Sequence, residues 1–366
     1  MYGLSYEQGI VEAIIEEHKT ITFFWVKISG RDKCKAVNYN NITGKINPGD
    51  QVIVNTTAVE LELGTGGYHF VILNLKYLSN YELPKKAKGG GFEEKNYTGH
   101  IMKLRYTPMQ LRTLSVEEQH GEYHQEIKEF ESLEGKPVVI IPLHSMLAPL
   151  VISYKSKFPE KKAVYIMSEG GCLALDFSNS VRQLLSQGFL DKTISYGNSF
   201  GGDFETVNIF TALATASKIV KADLIIVGMG PGIVGTSTRY GYSGVENAFI
   251  EKAVRVLKGR AIIIPRISFA DKRKRHYGIS HHSITLLTEL ITDPVELVFP
   301  DNAFLKQQIN NYHALTRHKI SFYSGSELTE IDEVLKASGF ILKSMGRKYQ
   351  DDPLFFITAA LAVYKV

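Results

Sequence analysis

The sequence predicts a two-domain α/β protein. Residues 1–90 form a small N-terminal β-barrel of OB type. Residues 91–366 form a mostly parallel, Rossmann-like sheet flanked by helices. Three observations carry this reading. The first ninety residues hold five short β-prone runs. The remainder alternates apolar strand runs with segments of helical periodicity. The connections in that remainder are of two kinds, short and plain or long and rich in Gly, Ser, His and charge.

The barrel runs are 9–17, 20–28, 33–39, 51–57 and 69–75, rich in β-branched and aromatic residues. Ser29-Gly30-Arg31-Asp32, Asn47-Pro48-Gly49-Asp50 and Gly64-Thr65-Gly66-Gly67 are the turns between them. Five strands in about 75 residues suit a small closed barrel. Phe23, Phe24, Trp25, Tyr68 and Phe70 could stack bases as OB surfaces do, but aromatics in such runs more often fill a core. Pro84-Lys85-Lys86-Ala87-Lys88-Gly89-Gly90-Gly91 reads as a linker.

Strand candidates follow at 138–142, 163–167, 193–196, 224–227, 261–264, 295–299 and 320–323. Helical patterns lie between them, at 179–187, 205–218, 246–257 and 283–291. This alternation implies right-handed βαβ crossovers and a parallel sheet. The long loops, 143–148, 168–176, 197–203, 228–244 and 266–282, all follow strands, so they would emerge together at the sheet's carboxyl edge. Open α/β sheets bind ligands there, and long loops in compact domains are more often functional than idle.

Bulk properties narrow the function. The chain has 366 residues, 22% of them charged, with a formal net charge of +4. That is ordinary for a globular protein, so a dedicated nucleic-acid or polybasic membrane binder is not expected. Cys34 and Cys172 stand in separate segments and form no disulfide framework or thiolate metal motif, which points to the reducing cytoplasm. No signal pattern opens the chain. The longest apolar run, 354–364, falls short of the roughly 20 residues that span a bilayer.

The glycine loop is the first candidate site. Gly228, Gly230, Gly232 and Gly235 follow a very apolar strand, and Thr236, Ser237 and Thr238 add hydroxyls. Free amides in such a loop can cradle a phosphate or carboxylate. Gly230, Gly232 and Gly235 have G-x-G-x-x-G spacing, but the helix starts only near Glu246 and Pro231 removes an amide. Pro265-Arg266 stands where a Rossmann acid belongs, and no Walker lysine follows the glycines. Gly-Met-Gly-Pro-Gly also resembles a segment of the S-adenosylmethionine-binding tetrapyrrole methylases, but nothing else in the chain follows that family. No cofactor is therefore specified.

The second candidate is the basic loop around Lys272-Arg273-Lys274-Arg275-His276, ending in Ser280-His281-His282. Arg273 and Arg275 could neutralise a phosphate or carboxylate. Ser280 suits a helix N-cap. His281 and His282 would diverge by about 100° on a helix, so a metal site is not expected. Asp271 with His282 or His276 could form an acid/base pair, and His144 and Asp203 are further candidates for proton transfer. Gly197-Asn198-Ser199-Phe200-Gly201 matches the nucleophile elbow, with Asp271 and His282 in the right order. Its strand, 193–196, is short and mixed where an elbow needs a central apolar one. His120 and His124 stand at i, i+4 in a polar run that reads as solvated surface.

Many of these segments together resemble one uncharacterised bacterial family, domain of unknown function 3866. The likeness runs from Gly49-Asp50 through Asn55-Thr56-Thr57 and Gly66-Gly67-Tyr68-His69-Phe70 to His100-Ile101-Met102-Lys103-Leu104-Arg105-Tyr106-Thr107-Pro108. It continues through Leu143-His144-Ser145, Gly201-Gly202-Asp203, residues 228–238, Arg275-His276 with Ser280-His281-His282, and Met345-Gly346-Arg347 with Asp352-Pro353. The resemblance implies no activity and no catalytic residue, and Ser199 is not one of its hallmarks.

The expectation is thus a protein binding an anionic, phosphate-bearing small molecule at the carboxyl edge, with His/Asp acid-base chemistry if it is an enzyme. The competing readings are a non-catalytic sensor, with the barrel contacting nucleic acid or another partner, and a Ser199 hydrolase.

Overall fold

The computed structural model describes residues 4–62, 66–79, 99–171 and 173–366. The linker expected at 84–91, Gly64, Thr65 and Cys172 lie outside the described residues. The chain divides into two units, residues 1–96 and 97–366.

The first unit is a closed five-stranded barrel: β1 (Tyr6–Glu17), β2 (Ile21–Ile28), β3 (Arg31–Tyr39), β4 (Gln51–Asn55) and β5 (Tyr68–Asn74). Its order is β1-β2-β3-β5-β4, closed by β1 on β4. β3 and β5 run parallel and every other pair antiparallel, the OB-type connectivity expected. Strand alternation sorts the side chains. Val26, Phe24, Ala36, Val52, Val54 and Val71 fill the interior. Register shifts after Val11 and Ile14 mark bulges in β1, which pairs with both β2 and β4. Phe24 is core, as expected. Trp25 and Tyr68 lie across from Lys35, and Phe23 and Phe70 across from Val37, on the face opposite the interior. The Lys35 ammonium stands 5.9 Å from the Trp25 ring and 5.8 Å from that of Tyr68.

The second unit is built on eight parallel strands: β6 (Pro137–Ile141), β7 (Ala163–Ser168), β8 (Lys192–Tyr196), β9 (Phe204–Thr206), β10 (Leu224–Met229), β11 (Arg260–Ile263), β12 (Glu296–Pro300) and β13 (Lys319–Tyr323). Their order is β9-β8-β7-β10-β6-β11-β12-β13. β6, β7 and β10 are buried on both faces, which explains their continuous apolar runs.

Helices cover both sides. α1 (Leu147–Lys157), α2 (Asn179–Ser186), α7 (Ser326–Ala337) and α8 (Pro353–Ala360) pack one face. α3 (Ile209–Ala214), α4 (Glu246–Val256), α5 (His281–Thr285) and α6 (Ala303–Asn311) pack the other. The apolar run 354–364 is α8 and the turn after it, buried against α1 and α7. Among the described residues no helix is long and apolar enough to cross a membrane.

One predicted helix is corrected. The segment 205–218 begins as the edge strand β9, because Phe204–Thr206 pairs in register with Ile194–Tyr196. The helix starts only at Ile209, where Asn208 makes a reciprocal capping box with Thr211.

The chain's direction reverses within this sheet. After β6 it crosses to β7 and moves outward to β9. β10 then fills the gap beside β6, and the later strands extend to the other side. Crossovers leave β6 and β10 in opposite directions, which opens a crevice at their carboxyl ends.

Candidate functional site

Two cavities sit over that crevice. The first, about 210 Å³, is lined by Pro142 and Leu143 after β6, by Ile233, Gly235, Tyr242 and Asn247 after β10, and by Arg266, Arg273, Arg275, His276 and His282 after β11. Three of the five long loops therefore meet. The second, about 380 Å³, is lined by His144, Phe177, Ser178 and the glycine-loop segment Met229 to Ile233. Leu143, Ile233 and Met345 belong to both walls. The loop 197–203 contributes to neither.

The basic loop folds back as a short antiparallel ribbon, Ile267–Ser268 against Gly278–Ile279. Ser280 accepts from the His282 amide, as its cap assignment predicted. Arg266, at the ribbon's start, is 5% exposed. Its Nη2 donates to Asp271 Oδ2 at 2.8 Å and its Nη1 to His276 Nδ1 at 2.8 Å. Arg273 grips the same carboxylate through Nε at 3.0 Å and Nη2 at 2.8 Å. Arg347 lies 3.6 Å from Asp271 and 3.5 Å from Asp352. Arg275 is exposed and has no ion pair among the described residues.

These contacts fix the protonation states. Hydrogen bonds from Arg273 hold Asp271 well below the usual carboxylate range, so it is an anchor for guanidiniums and not an acid/base group. Burial, and then Arg266 and Arg273, push His276 down to about 3. Burial, and then His281 and Arg266, push His282 down to about 4. Both are neutral near pH 7. A guanidinium can only donate, so His276 Nδ1 is an acceptor and the ring's proton sits on Nε2. The Ser280 hydroxyl donates to the same Nδ1 at 2.7 Å.

His276, His281 and His282 bring ligand-type nitrogens within 4.8 Å of one another. Sequence spacing missed this convergence, because it considered only the adjacent pair and not His276 returning from the ribbon. The group is nonetheless ill suited to a cation. His276 has one nitrogen taken by Arg266 and the other protonated, and the surroundings are guanidiniums. His282 stacks on Tyr242, with centroids 4.0 Å apart.

The glycine loop divides its work. Gly228 lies in β10, where a Cβ would stand 2.4 Å from Ile141, so its glycine is a packing requirement. Gly230 and Gly232 border the second cavity and Gly235 the first. Among the described residues, the amides of Gly232, Ile233 and Gly235 donate to no group of the chain. The threonines depart from expectation. Thr236 Oγ1 donates to the Gly241 carbonyl at 2.9 Å and meets Thr238 Oγ1 at 2.9 Å, and Thr238 accepts from the Gly241 amide. These hydroxyls close the loop's own turn and line neither cavity.

Two further candidates fall away. Asp203 is at the sheet's far edge, accepting from the Thr193 amide at 2.8 Å and pairing with Lys192. Ser199 is fully buried, its hydroxyl shared between the carbonyls of Met167 at 3.0 Å and Tyr196 at 2.9 Å. With Asp271 bound by arginines, no Ser199 triad exists. His124 begins a short helix and contacts the Glu117 carbonyl, and His120 precedes that helix, so the two share no helical face. Asp352 occupies the N-cap of α8, yet its carboxylate accepts from Ser268 and the Phe269 amide instead of capping.

Asn247 is the residue sequence reasoning missed most completely. It lines the first cavity, is fully buried, and neither its amide oxygen nor its nitrogen has a partner. A polar residue in the first turn of an otherwise amphipathic helix was its only sequence signal.

The family described as protein of unknown function (DUF3866) matches residues 35–363, and the chain belongs to it. No curated protein matches the chain.

Proposed function

We propose that this DUF3866 member binds an anionic, phosphate-bearing small molecule in the first cavity. The observation that carries the reading is the charge balance there. Three guanidiniums, Arg266, Arg273 and Arg275, line it; Arg266 and Arg273 pair with Asp271, and Arg347 stands near Asp271 and Asp352, so the cluster holds four positive and two negative groups. The surplus of two positive charges matches a phosphate near its dianion better than a monocarboxylate. The unbonded Ile233 and Gly235 amides and the His276 Nε2–H add neutral donors. Asn247 offers an unused donor and acceptor to the ligand's uncharged part. Because Asp271 is bound by arginines, recognition and not acid-base chemistry is the stronger role for this cavity. A cytoplasmic setting, where phosphorylated metabolites abound, fits the reading.

The test is a thermal-shift screen of the full chain against inorganic phosphate, nucleotides and sugar phosphates, with chloride at matched ionic strength. A ligand at a hundred times its Kd stabilises by about 2.7 kcal/mol, roughly 5–10 °C for a unit of this size. Arg275→Ala should abolish the shift while leaving the unliganded melting temperature unchanged, and Zn²⁺ should produce no comparable shift. If no phosphate compound exceeds chloride, the reading fails.

A further inference from the structure

The second cavity contains a serine–histidine pair that the anion reading does not use. His144 follows β6, Tyr165 is on β7, and Ser178 caps α2. The strand order β7-β10-β6 sets them side by side. His144 Nε2 is 2.6 Å from Ser178 Oγ, and its Nδ1 is 3.2 Å from the Tyr165 hydroxyl.

The neighbours decide where each proton sits. Tyr165 has one hydroxyl proton, and it points at the carbonyls of Gly228, 3.1 Å away, and Met229, 3.0 Å away. Tyr165 must therefore accept from His144, which puts the imidazole proton on Nδ1. Nε2 is left as a free base facing Ser178. Ser178 Oγ accepts from the Val181 amide at 3.1 Å, so its own proton is free to go to Nε2. A nucleophile within hydrogen-bond reach of a base that a third group orients is the arrangement of an activated serine. Burial keeps His144 neutral near pH 7, as a base must be.

We propose that Ser178 is a nucleophile, with His144 as its general base and Tyr165 as a positioning residue, acting on a small carboxylic ester or thioester. The chemistry of the wall selects the acyl class. Its lining carries one cation, the exposed Lys343, and no guanidinium, a weaker clamp for a phosphoryl group than the arginines of the first cavity. The amides of Gly232 and Ile233, which have no bond among the described residues, can meet a developing oxyanion. Phe177, Met229 and Met345 supply an apolar wall for a short acyl chain.

In the step, Ser178 Oγ bonds to the carbonyl carbon while its proton passes to His144 Nε2. The bond from carbon to the leaving oxygen or sulfur breaks, and His144 returns the proton to that leaving group. Water then attacks the acyl-serine carbonyl while His144 Nε2 takes one of its protons; the acyl carbon–Oγ bond breaks, His144 returns that proton to Ser178 Oγ, and the carboxylic acid leaves.

The test treats the full chain with a fluorophosphonate and maps the adduct by peptide mass spectrometry. The expected result is one adduct, on Ser178, absent in Ser178→Ala and formed at least tenfold more slowly in His144→Gln. Tyr165→Phe should slow labelling and shift its pH profile, which a purely structural tyrosine would not do. Thermal melts of each variant show whether it is folded. The wild-type map needs no variant. An unlabelled Ser178, or a rate indifferent to His144 in a folded variant, would mean that Ser178 only caps α2. The phosphate screen reads the other cavity, so either proposal can fail alone.

Discussion

Removing the Asp271 carboxylate should unsettle the molecule more than removing any of the arginines that grip it. Asp271 and Arg266 are each 5% exposed. Among the described residues, Asp271→Ala leaves the Arg266 charge stranded with only His276 and Met345 as hydrogen-bond neighbours on its guanidinium nitrogens. Stripping one partner from a buried pair costs about 3–5 kcal/mol. Arg273 is about half exposed, with 47% of its side chain accessible, and adds under about 1 kcal/mol because water rehydrates it. For a unit of this size the loss is roughly 6–20 °C in melting temperature. Two controls isolate the cause. Adding Arg266→Met should recover most of the loss, since the cost lies in the stranded charge and not the missing contact. Inorganic phosphate should stabilise Asp271→Ala more than wild type, because it replaces the carboxylate between the guanidiniums. The sign with pH is also fixed. Asp271 has a folded pKa below its unfolded one, so its contribution is present above about pH 4 and is lost on further acidification. A variant melting within about 2 °C of wild type, or one that Arg266→Met does not rescue, would refute the argument.

Three other outcomes follow from buried groups. His144 and His282 both have folded values pushed down to about 4, below the unfolded 6.5, so stability should fall as pH drops from 6.5 to 4. Each contributes about 1.4 kcal/mol per pH unit in that window, and the double change to glutamine should flatten the slope in denaturant titrations. Glu246 goes the other way. Burial raises it to about 7, so its contribution is lost as pH rises through that value. Glu246→Gln, which still accepts from Ser168, should be more stable than wild type by about 2–3 kcal/mol at pH 8 and equal to it near pH 4. Ser199→Ala removes a hydroxyl shared between two carbonyls and should cost about 1 kcal/mol with no change in fluorophosphonate labelling.

The parallel sheet was legible because the strands that become β6, β7 and β10 are apolar on both faces, a pattern that only a doubly covered sheet explains. The barrel was legible because its strands alternate and its turns are marked. Strand order was not: nothing in 224–229 says that β10 inserts between β6 and β7. That insertion is what brings His144, Tyr165 and the glycine loop together. The arginines of the basic loop were visible as charge, but their counter-ion was misread. Asp271 looked like an acid partner for histidine, because sequence gives no sign that Arg266 and Arg273 would close on it. Ser178 was hidden in the same way. A capping serine is ordinary in sequence, and its 2.6 Å contact with a histidine 34 residues earlier exists only in the fold.

Leu143, Ile233 and Met345 each present one side to the anion cavity and one to the serine cavity. A partition shared in this way gives the two cavities a physical route for coupling. If occupancy of one moves the partition, the affinity of the other changes by some factor, and the reverse effect must equal that factor. A phosphate compound that alters the binding of a non-hydrolysable acyl ligand would therefore be altered by it to the same degree, whichever is added first.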